Sequence, residues 1–160
     1  MIKPYQPGKI PIMFVHGLLS DPFTWINMAN DLTEHPEILE RYQLWGFEYA
    51  TGEPFLKSAA IFRRQLQEAH MQLDPTKSNP AMSQMVLVGH SMGGLVSKLL
   101  ITESGTQLWD AVSCRPLESI GATPELRGNL ADLFFFSHLH WFPALRSLAH
   151  RIEVHHGPIV

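Results

Sequence analysis

The sequence predicts an α/β fold built on a parallel sheet with helices on both faces, and three observations carry that prediction. Apolar runs and segments of helical periodicity alternate from Ile10 to Glu103. The run Ile10 to Val15 is continuous in apolar character, as strands covered on both faces are. A second such run, Met85 to Val88, ends at Gly89-His90-Ser91-Met92-Gly93-Gly94, and a helix-capable segment from Leu95 to Thr102 follows at once. Strand, sharp turn and helix are thus written into one short stretch.

Each element can be justified in turn. Met1 to Lys9, with its prolines and glycine, reads as an extended lead-in to the strand Ile10–Val15. After the strand, Asp21 is placed to cap a helix that has Pro22 at its first position, and Trp25, Met28, Ala29 and Leu32 form its expected inner face. Aromatic residues within Tyr42 to Tyr49 predict the second strand. Ala50 to Pro54 is a loop, and Phe55, Ala59, Phe62, Leu66, Ala69 and Leu73 then recur at steps of four and three, the stripe of an amphipathic helix. Lys57, Arg63, Arg64, Gln67 and Glu68 are expected on its solvated face. Asp74 to Ser83 reads as a surface loop that leads into the third strand. Beyond Glu103 the expectations are a short helix over Gln107 to Ser113, a Pro- and Gly-punctuated stretch to Gly128, and helical spacing through Leu126, Leu130, Leu133 and Phe134.

The Gly-x-Ser-x-Gly stretch has the form of a nucleophile elbow, with Ser91 at the apex. An apex serine holds a strained backbone, so its neighbours must be small. Gly89 and Gly93 let strand and helix pass closely, and Gly94 adds clearance. The helix then points amide hydrogens and its positive dipole end at the place where an oxyanion forms. His90 sits inside the turn as a supporting residue.

The first strand ends in His16-Gly17-Leu18-Leu19. In strand–turn–helix serine hydrolases one oxyanion donor is the amide after the nucleophile, and the other comes from the loop after an earlier strand. Met92 and Leu18 are the candidates here, with His16 and Gly17 as structural support rather than chemistry. On the strength of Val15-His16-Gly17-Leu18 and Val88-Gly89-His90-Ser91-Met92-Gly93-Gly94, the chain resembles the α/β-hydrolases. Within them it is similar to bacterial lipase- and esterase-like proteins, including those related to inositol deacylases of lipid anchors. The resemblance covers Ile10 to Glu103 and implies the spatial strand order second–first–third, with the His16-Gly17 loop and Ser91 side by side at the carboxyl edge of the sheet.

The rest of the chain departs from the resemblance. Triad partners are expected in the order Ser, acid, His, after two or three more strand–helix units of about 30 residues each. The stretch from Ser91 to Val160 has little room for them, so the expectation is a single, incomplete hydrolase domain over 1–160, with its core at 10–103 and a less defined part at 104–160. Candidate acids are Asp110, Glu118, Glu125, Asp132 and Glu153; candidate bases are His138, His140, His150, His155 and His156. Asp132 with His155 or His156 satisfies the chain order, as do other combinations; Asp132 and His155 are taken as the working pair.

Composition bounds the rest. A hydrophobic content of 45% with 17% charged residues fits a globular chain, and a net charge of −3 offers no electrostatic case for nucleic acid or an anionic membrane. The single cysteine, Cys114, excludes an internal disulfide. No apolar run is long enough to span a bilayer, and Pro4, Pro7 and Pro11 interrupt any signal-peptide pattern, so a cytoplasmic location is the expectation. His138-x-His140 and His155-His156 lack the spacing of a metal site, and neither metal nor cofactor is expected. The expected activity is hydrolysis of small-molecule or lipid carboxylic esters by a serine nucleophile. An acyltransferase or thioesterase with the same elbow, or an inactive remnant, stands as the alternative.

Overall fold

The computed structural model describes residues 5–136. Three parallel strands, β1 (Ile10–Val15), β2 (Tyr42–Phe47) and β3 (Val86–Gly89), form one sheet in the order β2-β1-β3. The order is the one the resemblance implied. The register pairs Val15 with Phe47 on one side and with Gly89 on the other, so all three strands finish on one row. Everything that leaves the sheet at its carboxyl edge therefore starts from the same level.

Between the strands run α1 (Ile26–Thr33), α2 (Pro36–Arg41) and α3 (Phe55–Leu73); α4 (Met92–Leu100), α5 (Gln107–Asp110) and α6 (Pro124–Phe134) follow β3. Asp21 caps the 3-10 turn Pro22–Trp25 that precedes α1, its carboxylate accepting from the Phe23 amide at 2.9 Å. Helix α4 begins at Met92, directly after Ser91, three residues earlier than the apolar spacing indicated.

Alternation along β1 divides the core. Met13 and Val15 face α3 and α4 and join Phe47, Tyr49, Ala59, Phe62, Leu66, Met85, Val96 and Leu100 in one buried cluster. Phe14 points the other way, its ring 5.1 Å from that of Trp25. Both faces of the central strand are covered, which accounts for its unbroken apolar run. The outer side of β3 has no strand against it among the described residues, and Val86 is exposed there.

Three expectations about side chains need correction. Met28 and Phe55, assigned to inner faces by spacing, are exposed: α1 buries none of its residues, and Phe55 is the first residue of α3, ahead of its buried stretch. Asp74 at the head of the expected surface loop is buried, with its carboxylate accepting from the Ser78 and Asn79 amides; Ala81 and Met82 are buried as well. Arg63, assigned to the solvated face of α3, is only 7% exposed. Helices α4 and α6 both pack on α3, and Arg63 bridges them: it donates to the Leu99 carbonyl of α4 at 3.3 Å and the Asp132 carbonyl of α6 at 3.0 Å. Its guanidinium also lies over the Phe136 ring at 4.2 Å.

Candidate functional site

Ser91 occupies the junction of β3 and α4 with φ 54° and ψ −123°, a backbone conformation that costs an L residue about 1–3 kcal/mol. The surroundings hold it there. The His90 amide donates to the Val15 carbonyl at 3.1 Å, tying the turn to the end of β1. The Gly93 and Gly94 amides close the turn by donating to the His90 and Ser91 carbonyls, both at 2.9 Å.

The glycines around the turn mark the points of closest approach. A Cβ on Gly93 would lie 2.2 Å from the Val15 carbonyl oxygen and 2.5 Å from that of His16. A Cβ on Gly89 would lie 2.6 Å from the Gly93 oxygen. Helix α4 thus starts almost in contact with the backbone of β1. A Cβ on Gly17 would come within 3.2 Å of the Ser91 Cβ and 3.0 Å of His90 Nδ1, so the loop after β1 lies directly against the serine. The side-by-side placement of the His16-Gly17 loop and Ser91 follows from the common row on which β1 and β3 end.

His16 is buried, 1% exposed, with Nδ1 3.1 Å from the Gly17 carbonyl oxygen. A carbonyl only accepts, so Nδ1 donates in this contact. The buried Nε2 has no hydrogen-bond partner among the described residues. The Leu18 amide follows in the next residue, and Leu19 adopts φ 54°. Among the described residues neither the Leu18 nor the Met92 amide donates to a protein acceptor. For Met92 this is expected, because the first amides of a helix have no intrahelical partner.

Sequence reasoning passed over three residues around the loop. The Tyr49 hydroxyl donates to the His16 carbonyl at 2.7 Å, and its ring stacks on the imidazole at 4.4 Å. Thr51 Oγ1 accepts from the Leu19 amide at 3.3 Å. Trp25 sets its ring edge-on to that of His90 at 6.5 Å. Tyr49 and Thr51 lie just past the end of β2, and position at a strand's carboxyl end was the signal available for both.

The working acid and base are not brought together with the turn by the described residues. The Asp132 carboxylate pairs with Arg64 at 2.8 Å on the exposed flank of α3 and α6. It lines a groove there with Ala60, Arg63, Gln67, Phe135 and Phe136, none of which belongs to the turn or the His16 loop. His155 lies outside the described residues, as do His138, His140, His150, His156 and Glu153. Among the described residues no histidine nitrogen is hydrogen-bonded to Ser91 Oγ. Among them, too, no three His, Cys, Asp or Glu side chains cluster closely enough to hold a metal ion, and no helix is long and apolar enough to cross a membrane.

Comparison with protein families settles the ancestry. The family model of the PGAP1-like alpha/beta domain matches residues 6–109, a stretch that holds the whole sheet, the His16 loop and the Ser91 turn. The chain belongs to the PGAP1-like α/β domain family. The parallel β2-β1-β3 sheet with its helices is the α/β layout that the family's description names. A solved structure similar to it is the Bacillus licheniformis lipase BlEst2 in mature form, at 20% sequence identity and a TM-score of 0.44. That alignment covers 94% of this chain and 62% of the lipase chain, so the PGAP1-like chain spans less than two thirds of the lipase's length. Comparison with curated proteins gave no match.

Proposed function

We propose that this chain carries the nucleophile and oxyanion-binding groups of a serine hydrolase acting on carboxylic esters. The observation that carries the reading is the left-handed backbone of Ser91 between β3 and α4, packed against Gly17 of the His16 loop. A strained serine at a strand–helix junction, with two nearby amides that have no acceptor among the described residues, is the arrangement acyl transfer needs.

The reaction then runs as follows. Ser91 Oγ attacks the ester carbonyl carbon, the C–O bond forms, and the carbonyl π pair moves onto oxygen. The Leu18 and Met92 amides hold that oxyanion, helped by the positive end of α4. The serine proton passes to a histidine, which returns it to the departing alkoxide as the tetrahedral adduct collapses to acyl-Ser91 and alcohol. Water, deprotonated by the same histidine, then attacks the acyl carbon, and the adduct releases the carboxylic acid and restores Ser91. His155 as that histidine and Asp132 as its orienting acid are the working pair, one of several combinations that satisfy the chain order. To serve, the Asp132 carboxylate must exchange Arg64 for the imidazole. No cofactor is required by this sequence of steps.

Apolar exposure around the turn supports an ester with a greasy acyl group. Leu19 is 91% and Phe23 74% exposed, and Leu18, Ile26 and Leu95 are also exposed. A fluorophosphonate probe tests the proposal. The expected result is covalent modification at Ser91 in the wild type, found by peptide mass spectrometry, and none in Ser91→Ala. Folded wild-type protein that stays unmodified refutes the enzymatic reading. A His155→Ala variant reacting at the wild-type rate would remove that residue from the mechanism without touching Ser91.

A further inference from the structure

Three consecutive peptide units run from His16 to Leu19, and three of the groups flanking the Leu18 amide are restrained. The carbonyl of the first unit, from His16, accepts from the Tyr49 hydroxyl at 2.7 Å. The carbonyl of the second, from Gly17, faces His16 Nδ1 at 3.1 Å. The amide of the third, from Leu19, donates to Thr51 Oγ1 at 3.3 Å. Between these restraints the Leu18 amide, like that of Gly17, has no acceptor among the described residues. Peptide units are planar, so tying both outer units leaves only the dihedrals of Gly17 and Leu18 to set where that amide points.

We infer that Tyr49 and Thr51, on the segment leaving β2, are positioning residues that aim the Leu18 amide at the oxyanion formed on Ser91. The inference rests on the reading of Ser91 and Leu18 proposed above. Tyr49 is suited to the task. It is buried, its ring is stacked between Phe47 at 5.2 Å and His16 at 4.4 Å, and its hydroxyl therefore has little freedom. Burial also pushes the hydroxyl up from its ordinary range, so it stays a donor. Thr51 holds the far side, where Leu19 turns with φ 54°. A clamp from one side alone leaves the middle unit free to rotate; two clamps from one segment do not.

The test is the rate at which a fluorophosphonate modifies Ser91 in the full chain, measured over a range of probe concentrations. Tyr49→Phe and Thr51→Val remove the two hydroxyls and leave the side-chain shapes. Both are expected to lower the maximal rate about tenfold or more, because a misaimed oxyanion donor loses most of its effect. The half-saturating probe concentration should stay unchanged. Ser104→Ala is the control: it breaks buried hydrogen bonds to Phe134 and Phe136, none of which touches the turn. It should react at the wild-type rate even where it melts earlier. Wild-type rates in both Tyr49→Phe and Thr51→Val overturn the inference and leave the reading of Ser91 in place. A loss in Ser104→Ala equal to theirs also overturns it, since the rates then follow stability. A wild type that does not react overturns the reading of Ser91 and this inference together. If Tyr49→Phe does not fold, Thr51→Val, at the rim of the loop, decides alone.

Discussion

Gly93→Ala is expected to prevent the turn from forming and to abolish cooperative thermal unfolding at the wild-type temperature. The added methyl would sit 2.2 Å from the Val15 carbonyl oxygen and 2.5 Å from the His16 carbonyl oxygen. Both obstacles are main chain at the end of the central strand, which is paired on both sides and covered on both faces. Neither can yield by a rotamer change. Overpacking in a yielding core costs about 1–3 kcal/mol, and a main-chain overlap of this depth belongs above that range. Domains of this size are stable by only about 5–15 kcal/mol, so the loss is a large share of the total. Circular dichroism on heating gives the answer. A midpoint within a degree or two of the wild type would show that α4 can draw back from β1 without penalty. Gly94→Ala is the natural comparison: its Cβ meets nothing nearer than 3.7 Å, and it should be tolerated.

Arg63→Ala is expected to cost about 1.5–3 kcal/mol, the range for hydrogen bonds made by a charged group. The arginine meets no carboxylate within ion-pair distance among the described residues. Its charge is answered instead by the carbonyl ends of two helices, Leu99 near the end of α4 and Asp132 near the end of α6. Each helix terminus carries roughly half a negative charge, so two of them together match one guanidinium. Removal leaves two carbonyls with one donor fewer, and the face of Phe136 loses its cation. Burial lowers the affinity of this arginine for its proton, and the nearby Asp132 carboxylate opposes that shift. Arg63→Lys should restore little, because one ammonium cannot span both carbonyls and stack as a planar fork does. Urea unfolding of the three proteins measures the difference; a lysine variant as stable as wild type would refute the two-helix account.

These two residues show where the sequence could be read and where it could not. Strand β1 was legible to the residue, since a strand covered on both faces has an apolar run with sharp ends. The Ser91 turn was legible because close main-chain packing at Gly89 and Gly93 forces a residue type that spacing alone reveals. Helix α2 was not anticipated: it is six residues long, has no buried side chain, and so writes no periodicity. Arg63 was misplaced for a different reason. Its position on α3 is off the apolar stripe, and only the arrival of α6 from far along the chain encloses it. For Tyr49 and Thr51 the one signal was position just past the carboxyl end of β2, because their partners belong to the loop after β1 and residue spacing carries no trace of that contact.

The backbone of Ser91 has one more consequence. A residue held at φ 54° against its own Cβ is a loaded spring, and glycine at that position would let it relax. On the proposed reading, the hydroxyl that performs the chemistry is also a standing charge on the molecule's endurance. Heat resistance and reactivity are then set against each other at a single atom group, and improving one there means surrendering the other.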